Sequence, residues 1–563
     1  MTKTTGARYF AEFLHGSGVT HVFFMPAMMW RGLAEMEELG IHRIMVHGEK
    51  TAAYMADGYA RASGRPGICM AQQIGASNLA AGLRDAYMAC TPMIAITGGA
   101  SRAGRYRNAY QEVEDFAQFD SVTKFNAYVD DSSRLPDMLR QAFREATSGT
   151  PRPTHLRFRD SHGESVEADG DLEMQIDKRF IQAPAFRPLA EETAISEAAR
   201  ALASAERPII VAGGGVMYSD ARAEVVALAE RLDIPVATSL NAKGTIADTH
   251  PLAVGVAGTY SRVCANRAVN DADLVFFIGS RTGGQVTTVW TVPNQKTRVI
   301  QLDIEAREIG RNYPNAIGLC GDAKVTLQRL VASVAQPRKN PAWVKHVQAL
   351  VAEWRADADK YRTSDAVPMR PERLGKEITD ALPRDGVVVS DTGHSGMWTA
   401  QMIERNSPGQ RYIRCAGSMG WGFPGSLGVK CALPDRPVLC WTGDGAMYYH
   451  LADLETAARY GINVVVVVNN NTALNQEIPL VDAAYGGPAR GRSAEMWEFK
   501  PVNFAKVAES LGCVGLRVET PAQFKAALGE AFSLKLPVVI DAVTDVGAFA
   551  TKAWRPAGAP GGH

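Results

Sequence analysis

Pro437-Val-Leu-Cys-Trp-Thr-Gly443-Asp444-Gly445 is answered, 27 positions after Asp444, by Asn471 at the end of Ile462-Asn-Val-Val-Val-Val-Val-Asn469-Asn470-Asn471. Both stretches open as short apolar, strand-like runs, and a helix-like stretch from Tyr448 to Tyr460 lies between them. One strand–helix–strand unit is therefore predicted, and parallel neighbours in such a unit bring their carboxyl ends together. A carboxylate and a side-chain amide then converge where the ligands of an open α/β sheet sit. Hard oxygen donors of this kind suit an octahedral magnesium ion holding a diphosphate, and the glycines let the backbone approach phosphate closely. A bare Gly-Asp-Gly often marks only a turn. Set between two buried strands and met by paired asparagines, it reads as a metal–phosphate site.

Alternating strands and helices extend in both directions. The first block, residues 1–165, opens with an amphipathic helix (Tyr9, Phe10, Phe13, Leu14) and the strand from His21. It continues with strands at Gly67-Ile-Cys-Met-Ala and Pro92-Met-Ile-Ala-Ile-Thr and helices near 50–63 and 76–89, the pattern of a parallel sheet covered by helices. A polar, acidic stretch from His162 and a Pro-bearing connector, Ala183-Pro-Ala-Phe-Arg-Pro, form a linker. The second block, 188–335, begins with Pro208-Ile-Ile-Val-Ala-Gly213-Gly214-Gly215 and has later strands from Leu274 and Val299. A helical connector, 341–365, leads to the third block, 366–549, and a tail follows over 550–563. No short-period repeat is visible, and a single sequence does not show whether the first and third blocks share a plan.

With 563 residues and a formal net charge of zero, the chain suits about three domains and has no charged block pointing to nucleic acid or an anionic membrane. Eight scattered cysteines without a CxxC read as reduced core residues. No apolar run approaches the ~20 residues that span a bilayer, and no signal h-region is evident. A cytoplasmic enzyme is the expectation.

The Gly-Asp-Gly…Asn pattern resembles the thiamine-diphosphate motif of the acetolactate synthase and pyruvate decarboxylase superfamily. The resemblance implies three doubly wound α/β domains: pyrimidine-binding, middle nucleotide-binding-like and diphosphate-binding. It makes Asp444 and Asn471 magnesium ligands, with the main-chain oxygen of Ala473 as third protein donor and Gly443 and Gly445 beside the diphosphate. Asp391-Thr392-Gly393-His394 resembles a diphosphate-contacting strand end. Gly417-Ser418-Met419-Gly420 resembles the segment whose bulky apolar residue, here Met419, wedges between the cofactor's rings. By itself such a methionine reads as core filler.

Glu49 starts a helix, where the macrodipole alone would favour a glutamate. The downstream Ala56-Asp57-Gly58-Tyr59-Ala60-Arg61 resembles the superfamily's catalytic-glutamate segment, so Glu49 is expected to engage the cofactor's aminopyrimidine, a task that needs a carboxyl able to share a proton. Gly48 replaces a histidine frequent in relatives. Gly75-Ala-Ser-Asn78, with Asp85 beyond it, resembles a segment of acetolactate synthases in which Gln73-Ile74 replace Gly-Pro. Gln111, beside Tyr110, resembles a substrate-side glutamine. Because the glutamate and the metal motif of the superfamily come from different subunits, a homodimer or homotetramer with interfacial active sites is implied.

In the middle block, Gly279-Ser280-Arg281 resembles an adenine-nucleotide segment, and Asp303 ends a strand, where an acid can hold a ribose. Gly283-Gly284-Gln285 stands where flavin-holding synthases carry an Asp-Asp-Arg-like run. ADP, FAD or a purely structural role all stay open. The segment Phe24-Met25-Pro26-Ala27-Met28-Met29-Trp30 departs most from the superfamily and suggests an apolar pocket walled by Met28 and Met29. Tyr110, Leu474, Glu495 and Trp497 are the other pocket candidates, and Glu477 is a candidate proton donor or a solvated helix-start acid. The tail, with Trp554 and Arg555, reads as a lid or as frayed. The activity implied is formation or cleavage of a carbon–carbon bond next to a carbonyl, by a carboligase or decarboxylase of 2-oxo acids. A 2-hydroxyacyl-CoA lyase or oxalyl-CoA decarboxylase acting on an acyl-CoA is the alternative, and a non-catalytic regulatory homologue a further one.

Overall fold

A computed structural model describes residues 3–559, apart from 27, 102, 161 and 335. Ala27 of the divergent 24–30 segment and residues 560–563 of the tail lie outside the described residues. The apolar runs form three six-stranded sheets, one in each block, with every strand pair in them parallel. Strands buried along their whole length, such as Met93–Thr97 and Leu274–Ile278, account for runs that are continuously apolar rather than alternating. Helices cover both faces, so the three units are doubly wound.

Numbered by chain order within each sheet, the strands of the first and third sheets both run 2-1-3-4-6-5, whereas the middle sheet runs 3-2-1-4-5-6. The outer domains therefore do share one plan. Strand order reverses beside the first strand of each sheet, which in the third sheet is Val387–Ser390 and in the middle sheet Pro208–Ala212. Ligands of open α/β sheets bind at such reversals. Outside these sheets, Lys3–Thr5 pairs antiparallel with Asp169–Asp171, so the acidic stretch after the first block folds back onto the chain's start.

The outer domains meet through two helices, Glu49–Ser63 and Gly422–Ala432. Their backbones touch: a Cβ at Gly58 would lie 2.0 Å from the carbonyl oxygen of Gly425, and one at Gly428 1.8 Å from that of Met55. One apolar core runs through this contact, including Ala52, Ala56, Trp421 and Leu427. A second core joins the middle and third domains, with Val275, Trp343, Val388 and Trp398. At that junction buried Lys243 donates to the carbonyls of Ala400 and Ile403 (2.9 and 2.6 Å), and Arg262 to that of Gln401 (3.0 Å). Two basic side chains thus cap the C-terminal end of the His394–Met402 helix, where the dipole favours positive charge, and burial brings the Lys243 pKa down to about 7.

Gly428→Ala is expected to destabilise the protein by about 1–3 kcal/mol, because the new methyl has no room against a backbone carbonyl. A thermal unfolding midpoint equal to that of the native chain would remove the close contact from the account.

Candidate active site

The strands Val438–Gly443 and Val465–Asn470 lie side by side, with Gly443 opposite Asn469. Asp444 follows the first and Asn471 the second, so the expected convergence of carboxylate and amide is present. The Asp444 carboxylate accepts the main-chain N–H groups of Gly445 (2.7 Å), Asn471 (3.1 Å) and Ala473 (3.2 Å). Burial pushes its pKa up to about 6 despite these donors. The Oδ1 of Asn471 accepts only from Ala473 N, at 3.2 Å, and Asn469 Oδ1 is buried without a partner. Among the described residues no cluster of three His, Cys, Asp or Glu could hold a metal. The donor set here is of another kind: the Asp444 carboxylate and the Asn471 amide oxygen, both of which accept from the Ala473 N–H. Such oxygens, around a buried acid that no cation neutralises, fit a hard divalent ion.

A Cβ at Gly445 would meet Leu474 Cδ2 at 2.6 Å, so a larger residue there would displace that side chain of the loop above it. That loop is held by a return strand: Leu474 N donates to Trp497 O and Phe499 N to Thr472 O, both 2.8 Å. Leu474 and Trp497 are therefore paired beside the motif, and the indole Nε1 of Trp497 is buried without a partner. Glu495 is instead exposed and ion-paired with Arg492 at 2.5 Å, so its carboxylate is engaged at the surface rather than turned to a pocket. Glu477 is exposed.

At the neighbouring strand end, Asp391 accepts from Thr392, Gly420 and Gly422 N–H groups at 2.8, 3.1 and 2.7 Å. This carboxylate pins the loop that carries Met419, itself half-buried. Gly393 has φ +62°, and a Cβ on it would stand 3.0 Å from Gln476 Oε1, an oxygen buried without a partner. His394 Nδ1 lies 2.7 Å from Asn475 Oδ1. The Asn475 amide nitrogen donates to the carbonyls of Val546 and Ala548 (3.3 and 3.0 Å), so its oxygen must accept and His394 carries its proton on Nδ1. Burial lowers the His394 pKa, against the Asn475 bond, leaving the ring neutral at pH 7 with Nε2 unprotonated.

A residue that sequence reasoning had not weighted holds the same loop from the first domain. Asp85 accepts from the N–H groups of Ala416, Gly417 and Ser418 (2.7, 3.0 and 2.9 Å) and from Arg61 (2.8 Å). Burial alone would raise its pKa, but Arg61 and these donors hold it below the usual range. Arg61 also pairs with Asp57 at 2.6 Å and lies 4.6 Å from the Trp421 ring centre. The i, i+4 spacing of Asp57 and Arg61 within an otherwise apolar helix was the available signal.

Glu49 begins its helix after the extended Gly48. Asn78 donates to its Oε2 at 3.1 Å, and a Cβ at Gly75 would come within 2.4 Å of its Oε1. Gly75 and Asn78 thus form a cradle for this carboxylate. Gln111 sits in a left-handed turn (φ +60°), its Oε1 buried without a partner. Tyr110 is 82% exposed and Ile74 55% exposed. No described hydrogen bond links Glu49 to Asp444 or Asn471. Met28 and Met29 pack in the core of the first domain, 1% and 0% exposed, Met29 against the backbone of Gly163. The expectation that they wall a pocket is corrected: their apolar side chains fill the interior.

In the middle domain Gly213 and Gly215 let two strand ends touch, since Cβ atoms there would meet Gly279 at 2.3 and 2.7 Å. Beside them lies a cavity of about 510 Å³ lined by Arg281, Asp303, Arg311 and Arg414. Burial pushes Asp303 up to about 6. Arg281 donates to the carbonyl of Met88 at 2.7 Å, tying the first domain to the cavity rim. The tail is docked rather than frayed: Thr551 O accepts from Gln401 and Trp554 O from Asn266 (2.9 and 3.0 Å), and Phe549 lies edge-on to His394 at 6.0 Å.

Models of the thiamine pyrophosphate enzyme family match all three domains: the N-terminal TPP binding domain over residues 4–119, the central domain over 195–330 and the C-terminal TPP binding domain over 391–542. The chain belongs to this family of thiamine-pyrophosphate-dependent enzymes, which form or cleave carbon–carbon bonds. It is 31% identical to a probable acetolactate synthase large subunit of Methanococcus aeolicus, across 90% of this chain and 86% of that protein. Identity is also 31% to a probable acetolactate synthase large subunit of Methanocaldococcus jannaschii, across 96% of this chain and 92% of that protein. The acetolactate synthase large subunit of Haemophilus influenzae is 30% identical, across 96% of this chain and 94% of its own. No helix among the described residues is long and apolar enough to cross a membrane.

Asp303 has a folded pKa above its unfolded value near 3.8, so the native state holds its proton more tightly and loses stability as pH rises from about 4 to about 6. Asp303→Asn is therefore expected to gain up to about 3 kcal/mol more over the native chain at pH 7 than at pH 4. Unfolding midpoints of both proteins across that range check the sign; a pH-independent difference would contradict it.

Proposed function

We propose that this enzyme is a magnesium-dependent carboligase of 2-oxo acids of the acetolactate synthase type. The observation that carries this reading is the meeting of the Asp444 carboxylate and Asn471 at two adjacent strand ends, with the Ala473 N–H donating to Asp444, together with Glu49 in its Gly75–Asn78 cradle. The named relatives support the 2-oxo acid substrate.

Asp444, Asn471 and Ala473 would hold Mg²⁺, and Gly443, Gly445, Gly393 and His394 would face the diphosphate. Thiamine diphosphate, when bound, supplies the nucleophilic carbon and the electron sink. The chain's residues orient and screen. Asp444 would hold the ion as a carboxylate, because an opposite charge outweighs the desolvation that now raises its pKa. Met419, on a loop fixed through Asp85 and Asp391, would place an apolar side chain between the cofactor's rings. Glu49 would hold a proton against the aminopyrimidine ring nitrogen. Leu474 and Trp497 close the site against water, and Gln111 turns a free amide oxygen toward the substrate side. Glu477 is the proposed proton donor if the enzyme releases an aldehyde.

Since the described hydrogen bonds give Glu49 a partner only in its own domain, Asn78, while Ile74 next to Gly75 is exposed, the reading requires a second copy of the chain to cover Glu49 with its own Asp444–Asn471 motif. A homodimer is the minimum assembly, and a homotetramer pairs two of them. In the middle domain the cavity with Asp303 and Arg281 would hold an adenine nucleotide, ADP or FAD. The docked tail would act as a cover on the His394 side.

Incubation with thiamine diphosphate, Mg²⁺ and pyruvate is expected to release carbon dioxide and form acetolactate. Acetaldehyde would make the enzyme a decarboxylase, and turnover of 2-hydroxyacyl-CoA but not pyruvate would replace the reading with acyl-CoA cleavage. Glu49→Gln is expected to lower kcat by about 10²–10⁴ while cofactor affinity, measured by calorimetry, stays within a few-fold. Full activity in that variant would remove Glu49 from the chemistry.

A further inference from the structure

One wall of the middle-domain cavity carries Trp290, the last of three consecutive residues with left-handed backbone. Thr288, Val289 and Trp290 have φ of +50°, +57° and +58°, three consecutive non-glycine residues, two of them β-branched. A β-branched residue in this region is an outlier, and such conformations persist only where the surroundings over-determine them, as at ligand clamps. Here they are over-determined. Val289 N donates to Gly284 O at 2.6 Å, and Thr291 and Val292 N both reach Thr287 O at 3.0 and 2.9 Å. Trp290 N donates to Thr287 Oγ1 at 3.0 Å, and Asn266 donates to Thr288 Oγ1 at 3.0 Å.

The strain has a directional result. Thr287 and Thr288 are fully buried, while Val289 and Trp290, the large apolar residues of the turn, are 40% and 44% exposed. Trp290 is on the cavity wall together with Gly283, Arg281 and Asp303. A Cβ at Gly284 would lie 3.7 Å from the indole edge, whereas one at Gly283 would meet nothing within 4 Å, so the ring edge lies near Gly284 and the space at Gly283 is open. The described hydrogen bonds give the indole Nε1 no partner. A tryptophan held half in solvent by strained backbone, beside a buried acid at a strand end and an arginine, is placed to stack on a flat ring.

We propose that Trp290 is the stacking clamp of the middle-domain cavity, its indole covering the planar heteroaromatic ring of an adenine nucleotide. This rests on the nucleotide reading given above and adds the residue that selects for a flat ring. The adenine ring of ADP and the fused flavin ring of FAD offer the same chemistry, and binding separates them.

The test is calorimetric titration of the cofactor-loaded native enzyme, Trp290→Ala, Trp290→Phe and Trp290→Leu with ADP and, separately, with FAD. Removing the indole is expected to weaken binding about tenfold or more, with Phe within about threefold of native and Leu resembling Ala. Because Leu retains bulk without a π face, a Phe–Leu difference cannot come from lost packing alone, and it remains readable if the alanine variant does not fold. Weakening of both ligands places the indole on adenine; weakening of FAD alone places it on the flavin. Native-like affinity in Ala and Leu overturns the clamp while leaving the nucleotide site standing. If the native enzyme binds neither ligand, the nucleotide reading falls and the clamp falls with it.

Discussion

Everything at this site depends on two helices whose backbones are in contact. Gly58 and Gly428 let the Glu49–Ser63 and Gly422–Ala432 helices approach until each lies against a carbonyl of the other, a distance that no side chain larger than hydrogen permits. The approach buries Arg61 between Asp57 and Asp85 and under Trp421. A buried cation is tolerable only when paired and hydrogen-bonded on all sides, and here its partner Asp85 spends its remaining lone pairs on three N–H groups of the loop before Met419. A domain contact thereby becomes a positional constraint on the residue expected between the cofactor's rings.

The candidate ligand sites share an electrostatic style. Asp444 and Asp303 are both buried at strand ends and accept main-chain N–H groups, and burial pushes both pKa values up to about 6, for Asp303 against the opposing pull of Arg281. Desolvation raises the energy of the charged form, and a group arriving with positive charge or hydroxyl donors relieves it. Asp85 and Asp391 show the structural counterpart: buried acids with loop N–H groups around them, serving to tie one segment to another. Burial by itself does not separate the two kinds, and for Asp444 and Asp391, each held by three main-chain N–H groups, neither does the partner set; Asp85 differs in its pairing with Arg61.

Much of this was legible from residue pattern. The apolar runs, their glycine-marked ends and the 27-residue spacing of Asp444 and Asn471 reflect local rules, since a strand's burial and a turn's φ are written into neighbouring residues. Glu49, Gly393 and Asp303 sit at such ends and were found there. Met28 and Met29 were misplaced because an apolar side chain beside a strand end reads alike whether it faces a pocket or the core. Glu495 was misplaced because its partner, Arg492, captures it only once the 493–499 return has formed. Trp290 carried no signal, its left-handed backbone being imposed by Asn266 and the Gly283–Gly284 turn.

The chain's own residues were enough to set three α/β units, because these follow from periodicity and short-range spacing, and its motifs resembled the thiamine-diphosphate family closely enough to set the cofactor. That the outer domains repeat one strand order while the middle follows another could not be read from them, since strand order is a matter of which edges pair across long separations. The same holds for the Asp85 clamp on the Met419 loop. Contacts between residues hundreds of positions apart depend on packing of whole surfaces, and only the assembled fold brings those surfaces together.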